Sequence, residues 1–217
     1  MNNYYVPVLK WKRGEQKAIE YLIPPIKDCI LPLIEIPPKE IDWKTNTFKK
    51  SLYEHIVNIP TSLSSNFQNQ SIFLDTFNIQ ADGLLQNGIT PIEFISANTT
   101  NVNIIPVITS YDRTNYISAL KTLLSNGIIH EICIRIMNHD LANLNDLLTN
   151  IISEYSITPE HFHIVFDLKE ISMNNAPLYE ATIPLLVNNM LRVHEWKSIT
   201  LIATSFPRTL EQIKKII

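Results

Sequence analysis

Charged side chains recur where short apolar runs end in this 217-residue sequence. Three carboxylates stand at such points, Glu35, Asp75 and Asp167, and Arg135 ends another run. Carboxylate oxygens are the ligands that Mg²⁺ and Mn²⁺ prefer in proteins, and the arginine fork suits a phosphate or carboxylate. The pattern predicts a site at which Glu35, Asp75 and Asp167 act as catalytic residues and metal ligands beside an anionic substrate.

Further polar residues at equivalent positions extend this predicted site. Lys10 ends the first apolar run, and Lys12 follows it in a basic cluster that contains Trp11. Tyr111 follows the fourth run and Ser205 the seventh. The residues that we expect to bind the anionic substrate are Lys10, Lys12, Arg135, Tyr111 and Ser205.

The elements that must position these side chains follow a regular alternation. Seven short, β-branched apolar runs are typical of strands buried on both faces of a parallel sheet, at residues 5–9, 30–34, 72–74, 104–108, 132–134, 164–166 and 199–203. Amphipathic stretches between and after them predict helices at residues 15–22, 47–57, 91–97, 114–124, 141–153, 178–193 and 209–217.

Seven such units without a linker favour an α/β fold, a TIM-barrel-like (β/α) barrel formed by residues 1–217 as a single domain. A closed barrel of this type normally has eight strands, so we expect the eighth unit to be missing or incomplete and one edge to be open. Barrel enzymes build their sites at the carboxyl ends of the strands. The strand-end polar residues are therefore expected to converge at one mouth.

Composition excludes several classes of protein. The net charge of −3 provides no global basic field for nucleic acid or an anionic membrane. The four glycines form neither a dinucleotide-binding nor a P-loop motif, and no apolar run is long enough to span a bilayer. Cys29 and Cys133 lack metal-type spacing. These features predict a soluble, cytoplasmic protein.

Short motifs along the chain resemble the beta protein family, which is named after a bacteriophage T4 protein. They are YVPVLKWKRGE at residues 5–15, PLIE at 32–35, IPVI at 105–108, IRI at 134–136, FDL at 166–168 and SFP at 205–207. The resemblance covers nearly the whole chain and implies a phage- or defence-associated protein. It implies no particular reaction.

Two hypotheses of function remain open from the sequence. The first is a metal-dependent hydrolase or lyase, or a binding protein, for a phosphorylated or other anionic small molecule; in a variant, Lys10 forms a Schiff base. The second is a non-catalytic module that binds a protein partner, or oligomerises, through the barrel mouth or its open edge. A structural ion-pair network of Arg135 with the carboxylates is the alternative to a ligand site.

Overall fold

The computed structural model describes residues 4–172 and 175–204, and the statements below concern those residues. The chain divides after Cys133 into two compact units. Each unit is described by itself. The sequence prediction that residues 1–217 form a single domain stays a prediction.

Nine strands are formed by the described residues. In chain order, β1 to β9 are Val8–Lys10, Leu33–Glu35, Ile41–Asp42, Thr47–Phe48, Gln70–Asp75, Val102–Ile108, Ile132–Met137, Phe162–Glu170 and Ser198–Thr204. In the first unit the parallel strands are ordered β1-β2-β5-β6, and β3 and β4 form a separate antiparallel hairpin. In the second unit the order is β7-β8-β9, with β8 and β9 parallel.

Helices occupy most connections between the parallel strands. In chain order, α1 to α9 are Arg13–Glu20, Pro24–Lys27, Leu52–Ile56, Ile59–Asn66, Phe77–Gln80, Pro91–Asn98, Thr114–Ser125, Leu144–Tyr155 and Ala176–Asn188. Short 3₁₀ turns cover Asn138–Asn143 and Pro159–His161. The start of α6 shows why these helices begin where they do: Thr90 and Glu93 form a reciprocal capping box, and Pro91 sets the first helical φ.

The prediction of a TIM-barrel-like α/β fold is confirmed, since parallel strands and helices alternate in chain order. Each of the seven predicted apolar runs contains or overlaps a parallel strand. Their burial explains the match: residues 104–108 and 132–136 are buried throughout. A strand covered on both faces needs apolar side chains on both. The predicted helix at residues 209–217 lies outside the described residues.

The predicted helix at residues 47–57 is wrong over its first part. Thr47–Phe48 is instead the second strand of the hairpin, paired with Ile41–Asp42. The helix begins later because Ser51 accepts a hydrogen bond from the Glu54 N–H while the Glu54 carboxylate accepts one from the Ser51 N–H. This capping box fixes the helix start at Leu52.

Two buried threonines differ in whether their hydroxyls are paired. Thr76, the residue after β5, is 1% exposed, and its hydroxyl has no hydrogen-bond partner among the described residues. Thr90, 4% exposed, donates to Glu93 and accepts from its N–H. A buried polar group without a partner reduces stability, whereas a capping hydroxyl adds to it.

We therefore expect Thr76→Val to raise the free energy of unfolding by about 1–2 kcal/mol, because valine has the same shape without the unpaired hydroxyl. Thr90→Val, the matched control, should lower it by about 1 kcal/mol. Urea denaturation of both variants measures the two changes. A Thr76→Val protein that is no more stable than the unsubstituted chain would contradict the assignment.

Candidate functional site

Three of the predicted site residues lie side by side on adjacent strands of the first unit. Lys10 of β1 is in register with Glu35 of β2, and Glu35 is in register with Asp75 of β5. Residues in register on parallel strands point to the same face of a sheet. Lys10, Glu35 and Asp75 therefore form one row at the carboxyl ends of three strands.

The backbone beyond this row is also held in place. The Trp11 N–H donates to the Glu35 carbonyl at 2.9 Å, and the Ile36 N–H donates to the Asp75 carbonyl at 2.8 Å. Pro37 and Pro38 follow and have no N–H to continue the ladder. The segments that follow β1 and β2 therefore stay paired with the sheet for one residue beyond each strand.

Asp112 is a functional candidate that the sequence analysis missed. One carboxylate oxygen accepts from the Thr109 N–H at 2.8 Å, and the other accepts from the Gln80 side-chain amide at 3.0 Å. Burial raises the pKa of Asp112 to about 6, and the negative charge of Asp75 adds to the rise while the hydrogen bonds from Thr109 and Gln80 oppose it. The spacing of Thr109 and Asp112, a hydroxyl three residues before a carboxylate, is the signal that could have identified this pair.

Arg135 and Asp167 form a buried ion pair in the second unit. Arg135 Nε and Nη2 both donate to Asp167 Oδ2, at 2.8 and 2.5 Å, and the two residues are 5% and 4% exposed. Lys169 adds a third donor to the same oxygen at 2.7 Å. Burial raises the pKa of Asp167, but the hydrogen bond from Lys169 and the charge of Arg135 outweigh it and hold this pKa below its usual range.

A bulge at the end of β8 makes the contact of Lys169 possible. The pairing of β8 with β9 shifts register between Asp167 and Glu170, and Lys169 takes a left-handed φ of 58°. In this conformation the Lys169 N–H donates a hydrogen bond to Asp167 Oδ1 at 2.9 Å. Arg135 and Asp167 thus form an ion pair of the kind that the sequence analysis gave as the alternative to a ligand site. A role in substrate binding or catalysis for either residue stays a prediction.

The predicted metal site of Glu35, Asp75 and Asp167 stays a prediction, since the first two residues lie in the first unit and Asp167 in the second. No three His, Cys, Asp or Glu side chains among residues 4–172 and 175–204 are arranged to hold a metal ion. Asp167 is instead bound by Arg135 and Lys169, and Asp75 accepts from the Phe77 N–H at 2.8 Å.

A cleft of about 960 Å³ lies where the chain leaves β1 and β2. Its wall comes from residues 11–13 after β1, residues 37–41 after β2, the hairpin, and His55 of α3. His55 shares a 2.8 Å hydrogen bond with the Pro37 carbonyl, which joins α3 to the loop after β2. Trp11 packs against Phe67 with ring centroids 5.5 Å apart and is one of the apolar residues of the wall.

The lining of this cleft is strongly cationic. It includes one carboxylate, that of Glu40, and five cationic side chains, which are Lys12, Arg13, Lys39, Lys49 and Lys50. The hydrogen bond and charge of Lys49 lower the pKa of Glu40, with smaller contributions from Lys50 and Lys12. The cations of the lining thus outnumber its carboxylate, although the whole chain carries a net charge of −3.

Of the predicted substrate-binding residues that the structure describes, Lys12 lines this cleft. Tyr111 is 59% exposed in the loop after β6, where its N–H donates to the Thr109 hydroxyl at 3.2 Å. Ser205 lies outside the described residues. The sequence analysis missed Lys39, Lys49 and Lys50, because it assigned this part of the chain to a loop and a helix.

The second unit has a different, apolar groove of about 620 Å³ against α9. Leu178 and Leu185 on this helix are each 62% exposed, and no residue of α9 is buried. A helix turned toward a core would instead bury one stripe of apolar side chains.

We expect Arg135→Gln to lower the free energy of unfolding by about 3–5 kcal/mol, because it leaves the buried Asp167 charge without its main partner. Lys169→Gln should cost about 1 kcal/mol or less, since the Lys169 side chain is 46% exposed. Denaturation of both variants at neutral pH compares the two costs. A loss of about 1 kcal/mol or less for Arg135→Gln would contradict the stabilising role of the Arg135–Asp167 contact.

The raised pKa of Asp112 makes a prediction about pH. Between about pH 4 and pH 6 the folded state holds a proton that the unfolded state has released, so the Asp112 contribution to stability falls as the pH rises through this window. The stability of Asp112→Asn relative to the unsubstituted protein should therefore increase by about 2 kcal/mol from pH 4 to pH 7. The exposed Glu20→Gln variant of α1 is the control, and a pH-independent difference for Asp112→Asn would contradict the burial argument.

Comparison with known proteins gives a family. The family model described as Beta protein matches residues 5–216. No curated protein and no solved structure matches the chain. No helix among the described residues has the length and apolarity needed to cross a membrane. The match extends over nearly the whole sequence, and the chain therefore belongs to the Beta protein family.

Proposed function

We propose that this protein binds a phosphorylated or otherwise anionic small ligand in the cationic cleft of its first unit. The observation that carries the proposal is the concentration of five cationic side chains around one cavity in a chain of net negative charge. A concave site lined by one sign of charge raises the local concentration of a ligand of the opposite sign. The phage- or defence-associated setting that we propose rests on the family match alone.

Three of these cations are available to a ligand. Lys39 lies 3.6 Å from Asp82 and over the Phe48 ring, and Lys49 pairs with Glu40 at 2.9 Å. Lys12, Arg13 and Lys50 form no salt bridge with a described residue. Like charges held close together repel one another, so an anion that bridges them relieves this repulsion.

The start of α1 adds to the attraction. Lys12 is the N-cap of this helix and makes no side-chain cap, and Arg13 is the first helical residue. The first N–H groups of a helix have no partner within it, and the helix dipole places partial positive charge there. Backbone and side chains at residues 12–13 therefore favour the same sign of ligand.

The proposed function is binding. The metal-dependent hydrolase or lyase hypothesis stays a prediction, because its three carboxylates are divided between the units, Glu35 and Asp75 in the first and Asp167 in the second. The row of Lys10, Glu35 and Asp75 ends the strands from which two walls of the cleft emerge. The backbone pairing at these residues fixes where the two loops begin, and this is their proposed contribution to the shape of the site.

A second candidate function is the protein-binding module that the sequence also predicted. The observation in its favour is the apolar groove against α9, together with Leu201 of β9, which is 52% exposed at the end of the strand order. An exposed strand edge and an apolar helix face are surfaces that proteins use for association. This function places the binding surface in the second unit and makes no use of the cationic cleft.

Tripolyphosphate is a suitable probe for the first proposal, because it carries phosphate charge without any other recognition group. We expect it to bind the purified protein in calorimetry and to raise the melting temperature. Lys12→Ala, Arg13→Ala and Lys50→Ala should each weaken the affinity by about tenfold, the loss expected for one charge-assisted contact. The affinity should also fall as the salt concentration rises.

Lys17→Ala is the matched control, since Lys17 is an exposed lysine of α1 that does not line the cleft. This variant should bind tripolyphosphate as tightly as the unsubstituted protein does. Equal losses in Lys17→Ala and Lys12→Ala would mean that only the overall charge matters. No binding of tripolyphosphate at all would overturn the proposal and favour the module of the second unit.

A further inference from the structure

A single aromatic side chain stands out at the rim of the cationic cleft. Trp43 lines the cleft and is 86% exposed. Scattered exposed apolar residues are common on protein surfaces and need no function. Trp43 differs from such residues because it lines the same cavity as five cationic residues.

Hydrogen bonds within its turn stabilise the hairpin that carries Trp43. Asp42 accepts at its side chain from the Lys44 N–H at 2.9 Å and at its carbonyl from the Asn46 N–H at 2.7 Å. Asn46 takes a left-handed φ of 54°, which closes the turn, and asparagine tolerates this conformation better than most residues. The turn therefore holds the Trp43 backbone in one place.

The base of the hairpin is fixed to the cleft by two contacts. Lys39 Nζ lies 3.8 Å from the centroid of the Phe48 ring, and the Lys49 N–H donates to the Glu40 carbonyl at 2.9 Å. The same two lysines line the cleft. The hairpin and the cationic wall are therefore parts of one local structure.

We propose that the anionic ligand is a nucleoside phosphate, whose base stacks on Trp43 while its phosphates contact Lys12, Arg13 and Lys50. This inference rests on the proposed function and names its ligand class. Stacking of a base on an aromatic side chain is favourable for every base, since each has a flat π face. A ligand that combines a flat ring with several negative charges matches both features of the cleft.

The size of the site favours a mononucleotide over a nucleic-acid strand. The cleft of about 960 Å³ is within the range of small-molecule sites. Its cations are clustered in residues 12–13, 39 and 49–50, whereas a strand needs a positively charged groove that follows its backbone.

The test compares adenosine triphosphate with tripolyphosphate, which differ by the nucleoside and share the phosphate chain. Both are titrated by calorimetry in the same buffer containing EDTA, so that metal complexes do not contribute. We expect adenosine triphosphate to bind about five- to 150-fold more tightly than tripolyphosphate, which is the range of one base–aromatic stack. Trp43→Ala should remove this difference, and Trp43→Phe should retain most of it.

Tyr21→Ala is the control, because Tyr21 is 78% exposed in the same unit and does not line the cleft. It should leave the preference for adenosine triphosphate unchanged. Circular dichroism melts of all three variants verify that each is folded, since an exposed side chain contributes little to the core.

Each alternative result has a distinct meaning. Equal affinities of the unsubstituted protein for the two ligands would overturn the nucleoside inference and leave anion binding standing. Failure of both ligands to bind would overturn the proposed function as well. A single-stranded oligonucleotide that bound more than tenfold tighter than adenosine triphosphate, with the excess lost in Trp43→Ala, would overturn the mononucleotide in favour of a nucleic-acid strand.

Discussion

The parallel register of β1, β2 and β5 is the constraint on which the rest of the first unit depends. It brings Lys10, Glu35 and Asp75 to one level, and the backbone pairing continues for one residue beyond β1 and β2. A slip of one residue would turn every side chain of a strand to the opposite face. The loops after β1 and β2 could not then form the same cleft, because their starting points would no longer be adjacent.

Charge is distributed differently in the two units. In the second unit Arg135 and Lys169 are both hydrogen-bonded to the buried carboxylate of Asp167, so these cations already have an anionic partner within the protein. In the first unit the cations of the cleft outnumber its one carboxylate, Glu40. Paired charges stabilise a fold at best modestly, whereas unpaired charges of one sign attract a ligand. This contrast supports a binding site in the first unit.

The parallel strands could be predicted from the sequence because complete burial leaves a direct mark on it. The run at residues 104–108 has apolar residues at consecutive positions, and the structure buries all of them. The hairpin leaves no such mark, since each of its strands is two residues long and Thr47–Phe48 is exposed. The capping box of Ser51 and Glu54 is the sequence signal that would have placed the start of the predicted helix at Leu52.

The strand-end residues could also be found from period-two alternation, but their partners could not. The bond from Lys169 to Asp167 depends on a bulge, and the rise in the Asp112 pKa depends on burial by residues distant in sequence. The cationic cleft combines residues 11–13 with residues 37–55. These sets become neighbours only through the strand register and the hairpin, neither of which follows from composition or spacing.

The most direct test of the binding site is a two-dimensional ¹H–¹⁵N spectrum of the labelled protein, recorded as pyrophosphate is added. The proposed site predicts saturable shifts concentrated in the amides of residues 11–13, 39–41 and 49–50, which line the cleft. The amides of α9 should remain unchanged. Shifts confined to α9, or no saturable shift anywhere, would contradict the assignment of the cleft as an anion site.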